Sequence, residues 1–472
     1  MEDEMSDVTP ADLNRMLDCQ RTAFLHAGPP SLKQRRTDLR RLKAEILKRR
    51  SDIVRALKID FGQRSERESA IVELIPLVQS INYMIAHMGR WIKPERRHVS
   101  AYFQCGRAWV IRQPVGVVGI IAPWNYPVSL ALVPLATAIA AGNRAMLKPS
   151  EFTPATSAMI GEIVRAVFPP QQVSVVTGNG EVGAAFSALP FDHILFTGST
   201  AVGKKVAEAA ARNLTPVTLE LGGKSPVVIE PGFSMQRAAG RVAFGKLTNA
   251  GQTCIAPDYA LVHEDDKDAF ATAYQDAVKK LYPGGYAGSP DYTAILNTHH
   301  YERLSGLIDN AETQGAQVIR LGSDSAADHV LAPVLLLDAT SQMAVMQEEI
   351  FGPVLPVLTY RTLDEAIAFI NARPRPLALY YFGDNRVERD KVLKNTVSGN
   401  VSINGTLLHI AQDDLPFGGV GASGIGAYHG KEGFMALTHA RGVYQQGRFN
   451  AATLLLPPFS KFTDALTNLI LR

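Results

Sequence analysis

Two residues in this 472-residue chain have types and surroundings suited to covalent catalysis, Cys254 and Glu220. Cys254 lies in LTNAGQTCIAPDY, Leu247 to Tyr259, among small, flexible and amide residues. Glu220 lies in LELGGKSP, beside a Gly-Gly pair. A thiol in an open, Gly-containing loop with a separate carboxylate points to a thiolate that attacks a carbonyl and a base that later activates water. The alternative for Cys254 is a buried packing residue, because an unreactive thiol behaves as a small hydrophobe.

Other segments carry groups that such chemistry needs. In IAPWNYP, Ile121 to Pro127, prolines and an aromatic pair hold a loop in which Asn125 offers a fixed N–H donor to a developing oxyanion. A turn-forming asparagine is the bland reading of the same residue. LFTGSTAV, with Gly203 and Lys204 after it, reads as a strand, a Gly turn and a helix start with Ser199 or Thr200 as cap. A helix N-terminus suits pyrophosphate, although the spacing is not G-x-G-x-x-G and a plain strand-to-helix turn reads the same. In MLKPSE, Lys148 and Glu151 follow a strand, where they suit adenosine ribose hydroxyls or are ordinary surface charges. In QEEIFGP, Glu349 could hold a nicotinamide ribose and Phe351 could back the ring, or the segment is a polar turn entering a strand. The glycines of LPFGGVGASGIGAYHG, Leu415 to Gly430, read as a loop of close backbone approaches without regular structure. His429 there has no second ligand at metal spacing and is read as structural; His409 is similar, near the expected substrate mouth. No metal site is expected.

These groups must be positioned by regular elements. Residues 10 to 92 read as helical, and the basic run RRLKAEILKRR within them as a solvated helix face. Val110 to Trp124 reads as a short, Gly-punctuated buried strand. From there helices and strands alternate to about residue 372, which implies parallel sheets covered on both faces and the doubly wound, dinucleotide-binding α/β class. Two α/β domains are expected, with the break near Glu220 to Gly223.

The composition is that of a globular protein, 46% hydrophobic and 20% charged. A net charge of +3 gives no reason to expect nucleic acid. Three scattered cysteines with no C-x-x-C pair suit a reducing compartment and neither a disulfide framework nor a cysteine zinc site. The acidic start lacks the regions of a signal peptide. VSLALVPLATAIAA is too short to span a bilayer. The C-terminal LLLPPFSKFTDALTNLILR is read as a packed tail, and the protein as cytoplasmic with no membrane partner.

Taken together and in order, IAPWNYP, LKPSE, FTGSTAVGK, LELGGKSP, GQTC, EEIFGP and LPFGGVGASG resemble the motifs of the aldehyde dehydrogenase superfamily, from about residue 10 to 450. GQTCIAPDY and GIGAYHGK resemble its class 3 branch, which the Glu220-to-Cys254 separation (254 − 220 = 34) also suits. HMGRWIKPERR and LTHARGVYQQGRFN are similar to the bacterial coniferyl aldehyde dehydrogenases; the branch often has an acid or amide where this chain has Gly405.

The resemblance implies two Rossmann-like domains and a small β oligomerisation arm. Residues 1–93 and 113–219 would bind the cofactor and 220–435 would form the catalytic domain. The arm would be 94–112 and 436–448, and 449–472 a C-terminal tail. Cys254 would be the nucleophile, Asn125 with the Cys254 backbone N–H the oxyanion site, and Glu220 the base. Lys148 and Glu151 would bind the adenosine ribose, Gly198 to Gly203 with Ser199 and Thr200 the pyrophosphate, and Trp124, Glu349 and Phe351 the rest of the cofactor. That cofactor would be NAD, with NADP tolerated, and the assembly a homodimer. The implied reaction is oxidation of an aldehyde to its acid, coniferyl aldehyde to ferulate, or alternatively of broad or long-chain aliphatic aldehydes. The water-activating acid argues against the acyl-phosphate and coenzyme A relatives. The presence of both Cys254 and Glu220 argues against a non-catalytic NAD-binding derivative.

Overall fold

The computed structural model describes residues 8–100, 103, 105–448, 453 and 456–471. The chain opens with capped amphipathic helices. Thr9 caps Pro10–Ala27 in a capping box with Asp12, and Ser31 caps Leu32–Lys48. Leu39, Leu42 and Ile46 form the buried stripe of the second helix and leave Arg40, Arg41 and Lys48 on the outer face, as the spacing predicts, while Arg35 is buried against the carbonyls of Ala140 and Ala141. The helical run Glu66–Trp91, which contains a π-turn at Ala70–Leu74, is long and apolar enough to cross a membrane by length and composition. Its stripe Leu77, Ile81, Met84, Met88 and Trp91 belongs to the protein core.

Three sheets organise the described residues. The six-stranded sheet runs Gly424–Ile425, Val217–Glu220, His193–Thr197, Val117–Ile121, Arg144–Lys148, Val173–Val175. All its pairings are parallel except that of the short first strand. From Val117–Ile121 the chain steps outward to one edge, then returns to place His193–Thr197 on the other side. The topological switch therefore lies between Val117–Ile121 and His193–Thr197, where the carboxyl ends of two strands leave a crevice for ligand. The all-buried helix Ser129–Ala141 is the first crossover.

The seven-stranded sheet runs Gln317–Arg320, Val334–Leu337, Val354–Tyr360, Tyr259–His263, Pro226–Ile229, Ala378–Phe382, Asn400–Ile403. Its pairings are parallel except at the Gln317–Arg320 edge. The third sheet joins Glu95–Arg97, Arg107–Pro114 and Thr438–Gln445 in antiparallel register. The fold is thus α/β with two doubly wound sheets.

Three expectations are corrected. Val110 to Trp124 is not one buried strand. It breaks between Pro114 and Val117, where the half-buried strand Arg107–Pro114 of the small sheet ends and the buried strand Val117–Ile121 of the six-stranded sheet begins. Leu415 to Gly430 is not wholly irregular, because Gly424 and Ile425 pair with Glu220 and Leu219. This ties the glycine loop to the strand that carries Glu220. The C-terminal tail, within the described residues, is not packed: helix Lys461–Ile470 buries only Thr463 and leaves Phe462 and Leu469 exposed.

Candidate active site

Cys254 follows the helix Met235–Leu247 through a tight turn, Thr248–Gly251. Asn249 (φ 53°) and Ala250 (φ 51°) sit in left-handed backbone, which costs free energy for a residue with a Cβ and persists only where its surroundings over-determine it. They do so here. The Asn249 side-chain Nδ2 donates to the carbonyls of Asn125 and Gln252, each at 3.1 Å, and its backbone N–H donates to Glu68. The Gln252 side chain spans to Asn249 O, Ala294 O and Leu296 N at 3.0–3.1 Å. Gly251 (φ +76°) completes the turn; a Cβ there would lie 2.3 Å from the Gly352 carbonyl oxygen. The loop that presents the sulfur is therefore rigid.

Asn125 donates one N–H of its amide to Gln252 O at 3.1 Å, which leaves the second amide hydrogen for a ligand. Its carbonyl accepts from Arg64 at 3.2 Å. The fully buried Arg64 pairs with Glu73 at 3.3 Å, and Glu73 accepts from the Ser129 N–H at 2.7 Å, which fixes the start of the crossover helix. Tyr126 and Thr253 share a hydroxyl hydrogen bond at 2.6 Å.

Glu220 ends its strand buried, 3% exposed, and neither carboxylate oxygen has a partner. Burial pushes its pKa well above the ordinary carboxylate range. Cys254 is partly exposed, and its pKa is pushed up to about 12, first by desolvation and then by the Glu349 and Glu220 carboxyls. The backbone N–H groups of Cys254 and Ile255 pull it down. Desolvation first, and the two acidic neighbours after it, favour the neutral thiol over the thiolate at this sulfur.

A cavity of about 210 Å³ gathers Trp124, Asn125, Gly198, Ser199, Glu220, Cys254, Glu349 and Phe351 at the switch-point crevice. Trp124 meets Phe351 edge-on at 5.3 Å. Glu349 approaches Gly222 so closely that a Cβ there would lie 1.9 Å from Oε2, and desolvation raises its pKa to about 8. Four other expected cofactor residues stand outside this cavity. Lys148 and Glu151 pair at 3.0 Å beyond the end of Arg144–Lys148, Thr200 donates to the Ala422 carbonyl, and Gly203 packs under Leu221 in helix Thr200–Ala211.

Sequence reasoning missed several members of the site. His300 lies 4.9 Å from the Trp124 ring, and burial, Arg303 and His299 push its pKa down to about 4. Arg303 donates to the carbonyls of Glu349 and Ile350. Both come from the first turns of helix Thr298–Thr313, whose amphipathic pattern carries no mark of ligand contact. Nor does any motif mark Arg64, Glu68 or Asn249.

A second cavity, about 180 Å³, lies beside the Cys254 loop. Thr253 and Ile255, which flank Cys254, both line it, and Leu130 borders both cavities. Its walls are mainly apolar, including Val72, Val133, Phe244 and Leu407. A larger open groove of about 990 Å³ between residues 58–67 and 288–291 shares Arg64 and Leu296 with this machinery.

The chain matches the model of the aldehyde dehydrogenase family over residues 3–443. It is 49% identical to a probable coniferyl aldehyde dehydrogenase of Pseudomonas aeruginosa, covering 95% of this chain and 94% of that protein. It is 44% identical to a coniferyl aldehyde dehydrogenase of a Pseudomonas species, covering 97% and 96%. Among solved structures it resembles the substrate-bound AldH of Staphylococcus aureus, with a TM-score of 0.92, 39% identity and coverage of 97% and 99%. It also resembles a Mycobacterium tuberculosis aldehyde dehydrogenase complexed with NAD+, with a TM-score of 0.85, 28% identity and coverage of 94% and 92%. The thiol, the free buried carboxyl and the amide donor stand in the fold of these enzymes, and the chain belongs to the aldehyde dehydrogenase family.

Proposed function

We propose that this aldehyde dehydrogenase oxidises an aromatic aldehyde of the coniferyl type to its carboxylic acid, with NAD as hydride acceptor and Cys254 as nucleophile. The observation that carries the reading is one cleft wall holding the Cys254 thiol beside a buried Glu220 carboxyl with no hydrogen-bond partner. An apolar cavity bordered by Thr253 and Ile255 suits the rest of the substrate.

The residues fit a dinucleotide. Thr197 Oγ1 is buried without a partner at the crevice, Ser199 caps the helix whose N-terminus faces it, and the Glu349 carboxyl presses on Gly222. Lys148 with Glu151 would hold the adenosine ribose, and the acid there disfavours a 2′-phosphate. Gly198 to Gly203, with Ser199 and Thr200, would hold the pyrophosphate. Trp124, Glu349 and Phe351 would hold the nicotinamide end. The bound cofactor accepts hydride and, in its oxidised form, carries a positive ring charge.

Cys254 sulfur adds to the aldehyde carbon and gives its proton to solvent water, leaving a thiohemiacetal oxyanion. The free Asn125 amide hydrogen and the Cys254 backbone N–H stabilise that oxygen. Loss of hydride leaves a thioester on Cys254. Glu220 then takes a proton from water, whose oxygen attacks the acyl carbon and releases acid and thiol. A raised pKa makes Glu220, once ionised, a stronger base than an ordinary carboxylate.

A long-chain aliphatic substrate is the second reading, since the chain is also 42% identical to the 4,4'-diaponeurosporen-aldehyde dehydrogenase of Staphylococcus aureus. NADH formation across coniferyl aldehyde, benzaldehyde and a long aliphatic aldehyde decides. Preference for coniferyl aldehyde supports the first reading; equal rates or aliphatic preference overturn it. The three free cysteines suit a cytoplasmic enzyme, and the small β sheet suits pairing into a homodimer.

A further inference from the structure

The apolar cavity beside Cys254 contains a group the mechanism does not use, His429. His429 is 5% exposed and lines the cavity; its Nδ1 is sealed off without a partner, while Nε2 makes no hydrogen bond and is not sealed, so Nε2 is the nitrogen a ligand can reach. It occupies the cap position of helix Gly430–Ala436 yet makes no cap hydrogen bond. The ring is held from two sides: it stacks on Phe417 at 5.0 Å and meets Tyr428 edge-on at 4.6 Å. Tyr428 also lines the cavity, as do Thr253 and Ile255 on either side of Cys254. His409 stacks on Phe417 at 6.0 Å and has its own unpartnered Nε2. Burial keeps both imidazoles neutral, with pKa values pushed down to about 4. A neutral imidazole has one acceptor nitrogen and one N–H. Buried polar atoms are nearly always satisfied, so an immobilised, unsatisfied ring in a mainly apolar pocket calls for a partner delivered by the ligand.

We infer that His429 hydrogen-bonds a hydroxyl on the far end of the substrate, which selects hydroxyaryl aldehydes over unsubstituted ones. The inference rests on the aromatic-aldehyde reading above. A site built to pair with a substrate hydroxyl rejects the analogue lacking it, because its own polar group is then left unpaired.

The test compares kcat and KM for coniferyl aldehyde with those for 3-methoxycinnamaldehyde, which differs only by the missing hydroxyl. Measurements are made on the wild type, His429→Phe and His429→Gln. The wild type is expected to favour the phenol by about tenfold or more in kcat/KM. His429→Phe should bring the two within about twofold by raising KM for the phenol alone, with kcat retained, and His429→Gln should restore part of the difference. Equal handling of the two by the wild type, or a His429→Phe loss that falls on both alike, overturns the inference while leaving aromatic aldehyde oxidation intact. If His429→Phe does not fold, the wild-type comparison alone decides. If neither aldehyde yields NADH while an aliphatic one does, the aromatic reading has failed and this inference falls with it.

Discussion

At the scale of single residues, the site is an arrangement of buried acids around a sulfur. Glu220 and Glu349 both have raised pKa values because burial penalises their charged forms, and both raise the Cys254 pKa in turn. A carboxyl whose pKa is raised by folding stabilises the native state below its unfolded value near 4.5, and that stability is lost as pH rises through the folded value. For Glu349 this window runs from about 4.5 to about 8. Glu349→Gln should therefore gain in melting temperature relative to the parent as pH is raised from 5 to 9. A constant difference by calorimetry would show that Glu349 is ionised in the folded protein. Cys254, Glu220 and Asn125, which line one cavity, stood out in the sequence because few residue types suit these tasks; Cys254 and Asn125 lie in loops near Gly or Pro, and Glu220 ends a strand just before a Gly pair. His300 and Arg303 were not legible, because only the packing of helix Thr298–Thr313 against the cleft brings them to Trp124 and Glu349.

At the scale of elements, the turn Thr248–Gly251 decides where the sulfur points. Left-handed backbone is tolerated best by Gly and Asn, and Asn249 adds two side-chain hydrogen bonds that tie the turn to the Asn125 loop. Asn249→Ala removes these bonds and keeps the strain. We expect a stability loss of about 1–3 kcal/mol and a larger fractional fall in kcat than rise in KM. Denaturant unfolding and steady-state kinetics check it; unchanged kcat would mean the turn does not position the nucleophile. The alternation of helices and strands was readable from apolar runs and their spacing. The break at Pro114–Val117 was not, because β-branched residues stand on both sides of it and the strands part only in their burial and sheet partners. Strands Ala378–Phe382 and Asn400–Ile403 also escaped notice: the first is a fully buried parallel strand with no alternation, and the second is a half-buried edge strand too short to show one.

At the scale of the whole molecule, two doubly wound sheets meet so that a loop leading into a strand of one and a strand end of the other share a cleft. The small sheet of Glu95–Arg97, Arg107–Pro114 and Thr438–Gln445 draws on both ends of the chain and is largely exposed. We expect it to mediate a homodimer, so sedimentation equilibrium should return about twice the chain mass of 51.2 kDa, whereas a single-chain mass at micromolar concentration contradicts the dimer. The α/β class was legible because the switch from a helical opening to strand–helix alternation spans hundreds of residues. The exposed tail helix was misread because its apolar residues mimic a packed face, and sequence alone does not say whether a partner surface exists within the chain.

The central claim is that one sulfur carries the acyl group until Glu220 has water remove it. It is tested most directly by mixing Glu220→Gln with coniferyl aldehyde and NAD, following NADH, and quenching for peptide mass spectrometry. The account predicts a burst of about one NADH per chain, turnover slowed by roughly 10²-fold or more, and the acyl mass on the peptide bearing Cys254. Unimpaired turnover after the burst, or an acyl group found on any other residue, contradicts it.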